Sequence, residues 1–399
     1  MHVTLLSQYF VPEIGAPQTR LFELAIGLKQ RGWHVSVITA MPNYPTGKIY
    51  KSHRGRFSCV ETVSEIEVKR YWLFASNSKQ LFPRVLSMLS FSITSLFSIG
   101  FLKKRRPDFL FVESPPLTLG ISGRLLSMLT STKLILNISD IWPLSALELG
   151  AISKGYIYSK LEKVEHSLYR TSFLCLGQSQ EIVDHIKRFK HNHVHLFRNG
   201  VDISRFKQVS GNRNRNHFVY LGLLGIAQGL SQLCQAINFR AIDCEFHIYG
   251  SGPELNSILT YLKKAPESGI RYCGTVERDE VPKILSNYGG AIIPLVKNIY
   301  GAVPSKLYEM MAAGLPILFS GAGEGAAIVA QYKCGWVNEP GDFEQLRSNI
   351  SSLITIDDAT FSEISVHNQV IAEEYFDRSG MIDNLTKFLI NQNKRGTDN

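Results

Sequence analysis

The sequence predicts an α/β protein with two similar-sized domains, each built on a doubly wound parallel sheet. Three observations support this prediction. The chain has 399 residues, which is too long for a single core of typical size. Short apolar runs with strand character alternate with helical stretches along both halves, as parallel sheets with helical crossovers require. A polar stretch at residues 211–216 precedes the second series, and we therefore expect the domain boundary near residue 200.

The predicted elements alternate in the same way in each half. A strand at residues 2–6, a helix at 19–30 and a strand at 34–39 open the chain as a β–α–β unit. The remaining strands of the first half are predicted at residues 67–71, 109–113, 133–137, 173–176 and 194–197. Those of the second half are predicted at residues 218–221, 245–249, 270–273, 290–294, 316–320 and 335–338.

We divide the chain into three parts on this basis. Residues 1–199 are expected to form an N-terminal domain and residues 200–375 a C-terminal domain. Residues 376–399 are expected to form a helical tail that packs back on the N-terminal domain.

Composition restricts the kind of partner. Lys and Arg number 43 against 34 Asp and Glu, so the formal net charge of +9 favours an anionic partner. No nucleic-acid-binding module is recognisable, which argues against DNA or RNA. The six cysteines are scattered without a C-x-x-C pair, so we expect neither a zinc site nor a disulfide framework. The first residues lack the features of a secretory signal, and we expect a cytoplasmic protein.

One uncharged segment has the length of a membrane span. Residues 85–102 carry no charge, and Lys103, Lys104, Arg105 and Arg106 follow them. Five of these 18 residues are serine, and the next strand belongs with the preceding strands, which argues against a span. Two interpretations stay open: a core helix of a globular domain, or a helix in the membrane interface with its basic end on anionic lipid.

Functional residues are expected in the loops that follow strands, because open α/β sheets bind ligands beyond the carboxyl ends of their strands. Gly15, after the first strand, allows a backbone to approach a ligand closely, and Arg20 adds a positive charge. An ordinary turn with an exposed arginine is the alternative.

The second informative loop leads into a predicted helix between Pro304 and Gly314. Ser305 and Lys306 lie on its first turn, beside unpaired N–H groups, which suits a diphosphate. Glu309, one turn further on, offers two carboxylate oxygens to sugar hydroxyls.

Short motifs occur along the chain in a fixed order. They are Pro12-Glu-x-Gly-Ala, Met41-Pro-Asn-Tyr-Pro, Ser114-Pro-Pro116, Asp140-Ile-Trp-Pro143, Arg198-Asn-Gly-Val-Asp202, Gly250-Ser-Gly-Pro-Glu254 and Ser305-Lys-Leu-Tyr-Glu309. Together they resemble the family-4 retaining glycosyltransferases, and most of all bacterial enzymes of the L-fucosamine transferase type, which act in O-antigen, capsule and colanic acid assembly. The resemblance implies the GT-B fold, in which two Rossmann-like domains face each other across a cleft.

The resemblance also implies a function. A sugar, an N-acetylamino or deoxy hexose, would pass from a nucleoside diphosphate sugar, with UDP favoured, to a polyprenyl-diphosphate-linked saccharide. This would occur at the inner face of the cytoplasmic membrane, with an anionic membrane surface as a further partner and without a metal or cofactor. The implied catalytic residues are Asp140, Lys306 and Glu309. The implied donor-binding residues are Gly15, Arg20, Arg198, Asn199, Gly222, Gln228, Gly250, Gly252, Thr275, Val276, Tyr300, Gly301, Ser305 and Leu307.

Three departures from the family pattern affect this interpretation. Gly301 stands where the family has the first of two glutamates, and Leu223 and Gln228 stand where it commonly has Arg and Lys for the diphosphate. Because a departing diphosphate needs positive charge, we expect Lys306, Arg20 or Arg198 to supply it.

The third departure lies at Asp140. The family has a histidine near the reaction centre in its N-terminal domain, and this histidine is replaced around Asp140. Asp140 is therefore a candidate to orient or deprotonate the acceptor hydroxyl, or else an N-cap of the next helix. A nucleotide-sugar 2-epimerase and an inactive nucleotide-binding partner subunit are the alternative functions.

Overall fold

The computed structural model describes residues 1–78, 80–207, 209 and 211–395. The chain forms two compact units. Unit 1 contains Met1–Arg198 together with the chain from Ile382 onward, and unit 2 contains Asn199–Met381. The boundary therefore lies between Arg198 and Asn199, and the C-terminal tail joins unit 1 at Ile382 rather than at residue 376.

Unit 1 is built on an eight-stranded sheet in the order β3-β4-β2-β1-β5-β6-β7-β8. All neighbouring strands are parallel except β3 and β4. The strands are β1 His2–Ser7, β2 His34–Ala40, β3 Ser58–Val63, β4 Ile66–Tyr71, β5 Phe109–Ser114, β6 Lys133–Ile138, β7 Leu174–Gly177 and β8 Val194–Leu196. The helices are α1 Ala16–Gln30, α2 Leu81–Ser95, α3 Ile99–Arg105, α4 Leu117–Thr130, α5 Leu144–Glu148, α6 Tyr156–Thr171 and α7 Gln180–Lys187.

Strand β3 is the element that the sequence analysis missed. It forms an edge hairpin with β4, and the two turn residues, Ser64 and Glu65, both have positive φ (47° and 60°). This turn normally takes Asn-Gly or Asp-Gly, and the Ser-Glu pair gives no such signal. Strand β3 has no buried residue, so it also lacks the apolar run that identifies the central strands of a parallel sheet.

The uncharged segment forms α2, a short 3₁₀ turn at Leu96–Ser98, and α3. This 24-residue stretch, Phe82–Arg105, is long and apolar enough to cross a membrane, which is weak evidence by itself. Its serines lie on the packed side: the Ser92 hydroxyl donates to Thr118 Oγ1 at 2.8 Å, and the Ser122 hydroxyl donates to the Ser92 carbonyl at 2.7 Å. These bonds connect α2 to α4.

Unit 2 is built on a six-stranded, all-parallel sheet in the order β11-β10-β9-β12-β13-β14. Its strands are β9 Asn214–Leu221, β10 Glu245–Tyr249, β11 Ile270–Tyr272, β12 Tyr288–Pro294, β13 Ile317–Ser320 and β14 Gly335–Asn338. Its helices are α8 Leu230–Ala236, α9 Leu255–Lys264, α10 Val281–Leu285, α11 Lys306–Ala312, α12 Glu324–Gln331, α13 Phe343–Thr355 and α14 Asp358–Phe376.

The last helix, α15 (Arg378–Arg395), packs on unit 1 from Ile382 onward. The Arg31 guanidinium donates to Asp383 at 2.6 Å, and Lys133 donates to Asn393 at 2.7 Å. The Phe388 ring stacks on His195 with 4.9 Å between centroids. These contacts hold the tail against the sheet and the first helix of unit 1.

Each sheet has one point at which the strand order reverses. Strand β1 lies between β2 and β5 in unit 1, and β9 lies between β10 and β12 in unit 2. Ligands of open α/β sheets bind beyond the carboxyl ends of the strands at such a point. The loops after β1, β5, β9 and β12 are therefore expected to carry ligand-binding residues.

Candidate active site

In unit 2, the Lys306 side chain extends from the start of α11 to the loop after β9. Its ammonium lies 3.8 Å from the centre of the Tyr220 ring and donates a hydrogen bond to the Tyr220 hydroxyl. A Cβ atom at Gly222 would lie only 3.1 Å from Lys306 Nζ, so the glycine leaves space above the ammonium. Burial lowers the pKa of Lys306 to about 7, and the Glu309 carboxylate opposes this shift.

Glu309 lies on the same helix and faces two arginines. Arg205 Nη1 is 3.7 Å from Glu309 Oε1, and the Arg205 guanidinium also donates to the Arg278 carbonyl. Burial raises the pKa of Glu309, while the charges of Arg205, Arg278 and Lys306 lower it. The carboxylate thus lies in a half-buried, positively charged environment, in which its oxygens can accept hydrogen bonds from a ligand hydroxyl.

The loops after β9 and β10 touch backbone to backbone. A Cβ at Gly250 would lie 1.8 Å from the Gly222 carbonyl oxygen, and one at Gly252 would lie 2.5 Å from that of Leu224. Both glycines have positive φ (133° and 158°). Glu254 ends the second loop and accepts a hydrogen bond from the backbone N–H of Leu230 at 2.8 Å, which fixes the start of α8.

In unit 1, polar side chains meet beyond β5, β6 and β7. The Arg20 guanidinium pairs with the Glu113 carboxylate and donates to Gln178 Oε1 at 3.1 Å. The other Glu113 oxygen accepts from Asn137 Nδ2 at 2.7 Å. Asn137 Oδ1 and Gln178 Nε2 are buried and have no hydrogen-bond partner among the described residues. Unpaired buried polar atoms are costly, so this cluster is suited to a hydroxyl-rich ligand or to bound water.

Asp140 lies beside this cluster. Burial raises its pKa to about 6, Arg20 lowers it and Glu113 raises it further. Helix α5 begins at Leu144 with Pro143 at its N-cap position, and no side chain caps it, so the structural role considered for Asp140 does not apply. A carboxyl group that titrates near neutral pH is suited to accepting a proton from a hydroxyl.

Glu13 links two of the motif loops. Its buried carboxylate accepts from the backbone N–H groups of Asn43 and Tyr44, at 2.7 and 2.8 Å. Gly15 directly precedes α1, and a Cβ there would lie 2.4 Å from the side-chain oxygen of Gln18. The Pro-Glu-x-Gly and Met-Pro-Asn-Tyr motifs therefore form one structure around a single carboxylate.

Comparison with protein families decides the identity. Residues 15–200 match the model of the glycosyl transferase 4-like domain, and residues 215–355 match that of the glycosyl transferases group 1. The chain belongs to these glycosyltransferases. The unit 1 cluster lies inside the first matched range, and Tyr220, Gly222, Lys306 and Glu309 lie inside the second, whereas residue 205 lies between the two ranges.

Known proteins agree with this assignment. The glycosyltransferase is 24% identical over 339 residues to Escherichia coli (strain K12) WcaI, a glycosyl transferase named for colanic acid biosynthesis, covering 79% of this chain and 82% of that protein. Sucrose-phosphate synthase from Thermosynechococcus elongatus superposes with a TM-score of 0.76 at 13% identity over 99% of each chain. Anabaena HepE, solved with UDP, gives a TM-score of 0.70 at 15% identity over 98% of this chain and 100% of its own. The structural similarity confirms the predicted GT-B fold.

Three of the implied donor-binding residues meet in unit 2. Gly222, Gly250 and Gly252 lie together there, with the implied catalytic residue Lys306 against Gly222, whereas Gly15 and Arg20 belong to unit 1. The charge of Arg20 is already balanced by Glu113, which weakens its candidacy for the diphosphate.

The other implied donor residues lie in five places. The Leu307 side chain is buried in the core, so only its backbone is available to a ligand. The side-chain amide of Gln228 lies against Gly225. Thr275 is exposed, and the side chain of Val276 packs against the core of unit 2. Arg378 donates to the carbonyls of Asn199 and Gly200, next to Arg198 in the same motif. Tyr300, Gly301 and Ser305 lie in the loop between β12 and α11.

Sequence reasoning missed the side chains that hold Lys306 and Glu309. Arg205 follows the Arg198–Asp202 motif in a 3₁₀ turn that Asp202 caps by accepting from the Ser204 N–H at 3.1 Å. The sequence signal for Arg205 was its place just after this motif, in a turn that the motif's own aspartate caps. Tyr220 is a core residue of β9, and nothing in its sequence context predicts a bond to Lys306.

Metal-ligand geometry occurs in three places among the described residues, and none of them includes Asp140, Lys306 or Glu309. In two of the three groups the glutamate is already paired with an arginine, Glu61 with Arg70 and Glu245 with Arg271. These groups are His53-Cys59-Glu61, Glu165-His166-His185 and His217-Glu245-His247.

Proposed function

We propose that this glycosyltransferase is a retaining enzyme of bacterial surface polysaccharide assembly. It transfers an N-acetylamino or deoxy hexose from a nucleoside diphosphate sugar to a lipid-linked saccharide, without a metal ion. The observation that carries the proposal is the position of Lys306 against Gly222, one helical turn from Glu309. The similarity to WcaI supports the pathway, and the UDP bound to HepE supports UDP as the carrier.

The position of Lys306 accounts for the charge that the β9 loop lacks. Leu223, which stands in place of a common family arginine, is 62% exposed and carries no charge to a diphosphate. The Lys306 ammonium reaches the same loop at Gly222 from α11. Because α11 has only seven residues, the proposal relies on the lysine charge rather than on the helix dipole.

The chemistry requires one bond to form as another breaks. The bond between the anomeric carbon and the β-phosphate oxygen breaks, and its electrons stay on the diphosphate, where the Lys306 ammonium stabilises them. The acceptor hydroxyl forms the new bond to the anomeric carbon on the same face. Its proton passes to the departing phosphate. Within unit 1, Asp140 is proposed as an acceptor-side base, because its pKa of about 6 leaves its carboxylate mostly ionised at neutral pH.

Glu309 is assigned to the donor ribose. Its two oxygens accept hydrogen bonds from the 2′- and 3′-hydroxyls, and the charges of Arg205 and Arg278 oppose the effect of burial, which raises the pKa of Glu309.

The lipid-linked acceptor is proposed to be reached from a membrane-facing surface of unit 1, which we call the α2–α4 face. On α2, the exposed apolar side chains Phe82, Leu89 and Ile93 lie on one side of the helix. The neighbouring α4 adds four more exposed apolar side chains, three or four residues apart or adjacent in the sequence. These are Ile121, Leu125, Met128 and Leu129, which are 40%, 42%, 67% and 58% exposed. Contiguous apolar surface of this kind marks interaction sites.

Basic residues flank this face. Lys103, Lys104 and Arg106 are exposed at the end of α3, whereas Arg105 pairs with Glu67. Anionic lipid attracts such residues with about 1 kcal/mol each near the surface. Apolar side chains beside a basic cluster favour a lipid interface over a protein partner.

Vesicle flotation tests the membrane part of the proposal. The double variant K103S/K104S is expected to weaken binding to phosphatidylglycerol-containing vesicles by about 30-fold, the equivalent of two contacts of about 1 kcal/mol. The matched control K263S/K264S removes two exposed lysines from α9 of unit 2 and should bind as the wild type does. Equal binding by both variants would remove the electrostatic contribution from the proposal.

Nucleotide binding tests the donor site. We would measure calorimetric binding of UDP, GDP, dTDP and ADP in the presence of EDTA, and expect one nucleotide to bind much more tightly than the others. Lys306→Ala should weaken that binding, and adding Leu223→Arg to the same protein should restore part of it, because the arginine returns charge to the loop. Lys263→Ala serves as the control. Binding of no nucleotide by folded protein would favour an inactive partner subunit instead.

A further inference from the structure

Lys306 is an incompletely satisfied cation. Its ammonium can donate three hydrogen bonds, and among the described residues it donates only one, to the Tyr220 hydroxyl. No carboxylate of the described residues forms an ion pair with it, because the nearby Glu309 is paired with Arg205. The Tyr220 ring supplies a further weak attraction at 3.8 Å. This environment solvates an ammonium poorly and an amine adequately.

The neighbouring groups compensate the charge of Lys306 only in part. The Tyr220 hydroxyl donates its own proton to the Leu223 carbonyl, and burial together with Glu254 raises the pKa of Tyr220. Tyr220 therefore stays neutral near pH 7 and does not become a counter-ion. Glu309 is the carboxylate that acts on Lys306, and its charge is shared with Arg205 and Arg278.

We propose that Lys306 is uncharged in much of the ligand-free enzyme and takes up a proton when a nucleoside diphosphate binds. This inference rests on the proposed donor site. The proton comes from solvent and adds to the lone pair of Nζ, so no bond within the ligand changes. It returns to solvent when the diphosphate leaves. The space above Gly222 is where the anion would complete the coordination of the ammonium.

The direction of the effect follows from burial. The pKa of Lys306 is lowered from 10.5 to about 7 in the free site, and a bound diphosphate would raise it again. Uptake is then about 0.1 proton per nucleotide at pH 6, where the lysine is already charged, and about 0.9 at pH 8. Above pH 7 the dissociation constant should increase about tenfold per pH unit, until it reaches the value for an uncharged side chain.

Calorimetry with the tightest nucleoside diphosphate in buffers of different ionisation enthalpy measures the uptake directly. We expect a slope of about 0.9 proton for the wild type at pH 8. Lys306→Arg keeps a permanent charge, so its slope should fall to near zero, which separates lysine protonation from titration of the nucleotide itself. Lys306→Met is uncharged at every pH, so its affinity should lack the tenfold loss per pH unit that the wild type shows above pH 7 and should equal the limit that the wild type approaches at high pH.

The outcomes separate this inference from the donor assignment. Nucleotide binding with the same slope in the wild type and in Lys306→Arg would overturn the proton coupling and leave the donor site in place. Wild-type affinity in Lys306→Met would show that Lys306 does not contact the diphosphate. Absence of binding by every nucleotide would remove both proposals together.

Discussion

Replacement of Glu309 by glutamine tests the ribose contact most directly. Glutamine keeps one acceptor oxygen and replaces the other with an NH₂ group, so one of two charge-assisted hydrogen bonds is lost. Such a bond contributes about 1.5–3 kcal/mol, which corresponds to about a 10- to 150-fold increase in the dissociation constant of the nucleotide. The Arg205 guanidinium, 3.7 Å from Oε1 in the wild type, would then lack its counter-ion and add to the loss.

The assay combines the protein change with a change in the ligand. Calorimetric dissociation constants are measured for the wild type and Glu309→Gln with the ribonucleotide and with its 2′-deoxy and 3′-deoxy forms. If Glu309 binds a ribose hydroxyl, removing that hydroxyl weakens wild-type binding, and the glutamine variant loses little more. Glu344→Gln, an exposed glutamate on the first turn of α13, is the matched control and should bind normally.

Additive losses would refute this reasoning. If the deoxy nucleotides weaken binding to the wild type and to Glu309→Gln by the same factor, the carboxylate and the hydroxyls act independently. A wild type that is indifferent to both hydroxyls would likewise exclude the ribose as the group that Glu309 binds.

Three further changes have expected outcomes. Because the pKa of Asp140 is raised to about 6 in the folded protein, ionisation of its carboxyl group destabilises the fold as pH increases from about 4 through 6. Asp140→Asn should therefore increase the free energy of unfolding at pH 7 by up to about 3 kcal/mol and have little effect at pH 4. Urea denaturation at the two pH values measures the difference. Gly250→Ala places a Cβ 1.8 Å from the Gly222 carbonyl and should lower the melting temperature and weaken nucleotide binding. Arg205→Gln should weaken nucleotide binding about tenfold by reducing the charge on Glu309, with Arg205→Lys recovering part of it in the same calorimetric assay.

The predictability of the fold depended on burial. Strands β5, β6 and β12 are buried almost throughout, and such strands appear in a sequence as short continuous apolar runs. Strand β3 is an exposed edge strand whose order comes from pairing with β4. That information lies in the partner strand, so no local pattern could have revealed it.

The placement of candidate residues was predictable where they lie on one element. The motif at residues 305–309 predicted Lys306 and Glu309 on the first turns of one helix, and both lie on α11. Arg205 is distant from Glu309 in the chain, and the two meet only because the Asp202-capped turn and α11 come together in the folded unit. Tyr220 is brought to Lys306 by the sheet in the same way. Contacts of this kind follow from topology, which a single sequence does not contain.

The absence of the common arginine and lysine from the β9 loop is better explained by relocation of charge than by loss of function. A diphosphate requires positive charge at one position in space, and a side chain from either the β9 loop or the start of α11 can supply that charge. In the proposed site, Lys306 supplies this charge from α11, where its side chain packs against the Tyr220 ring instead of being exposed on a loop. An exposed arginine is charged at every relevant pH, whereas burial lowers the pKa of Lys306 to about 7, so its charge in the free site varies with pH near neutrality. The relocation therefore changes the binding chemistry as well as the residue, because the affinity of the site for its donor becomes dependent on pH.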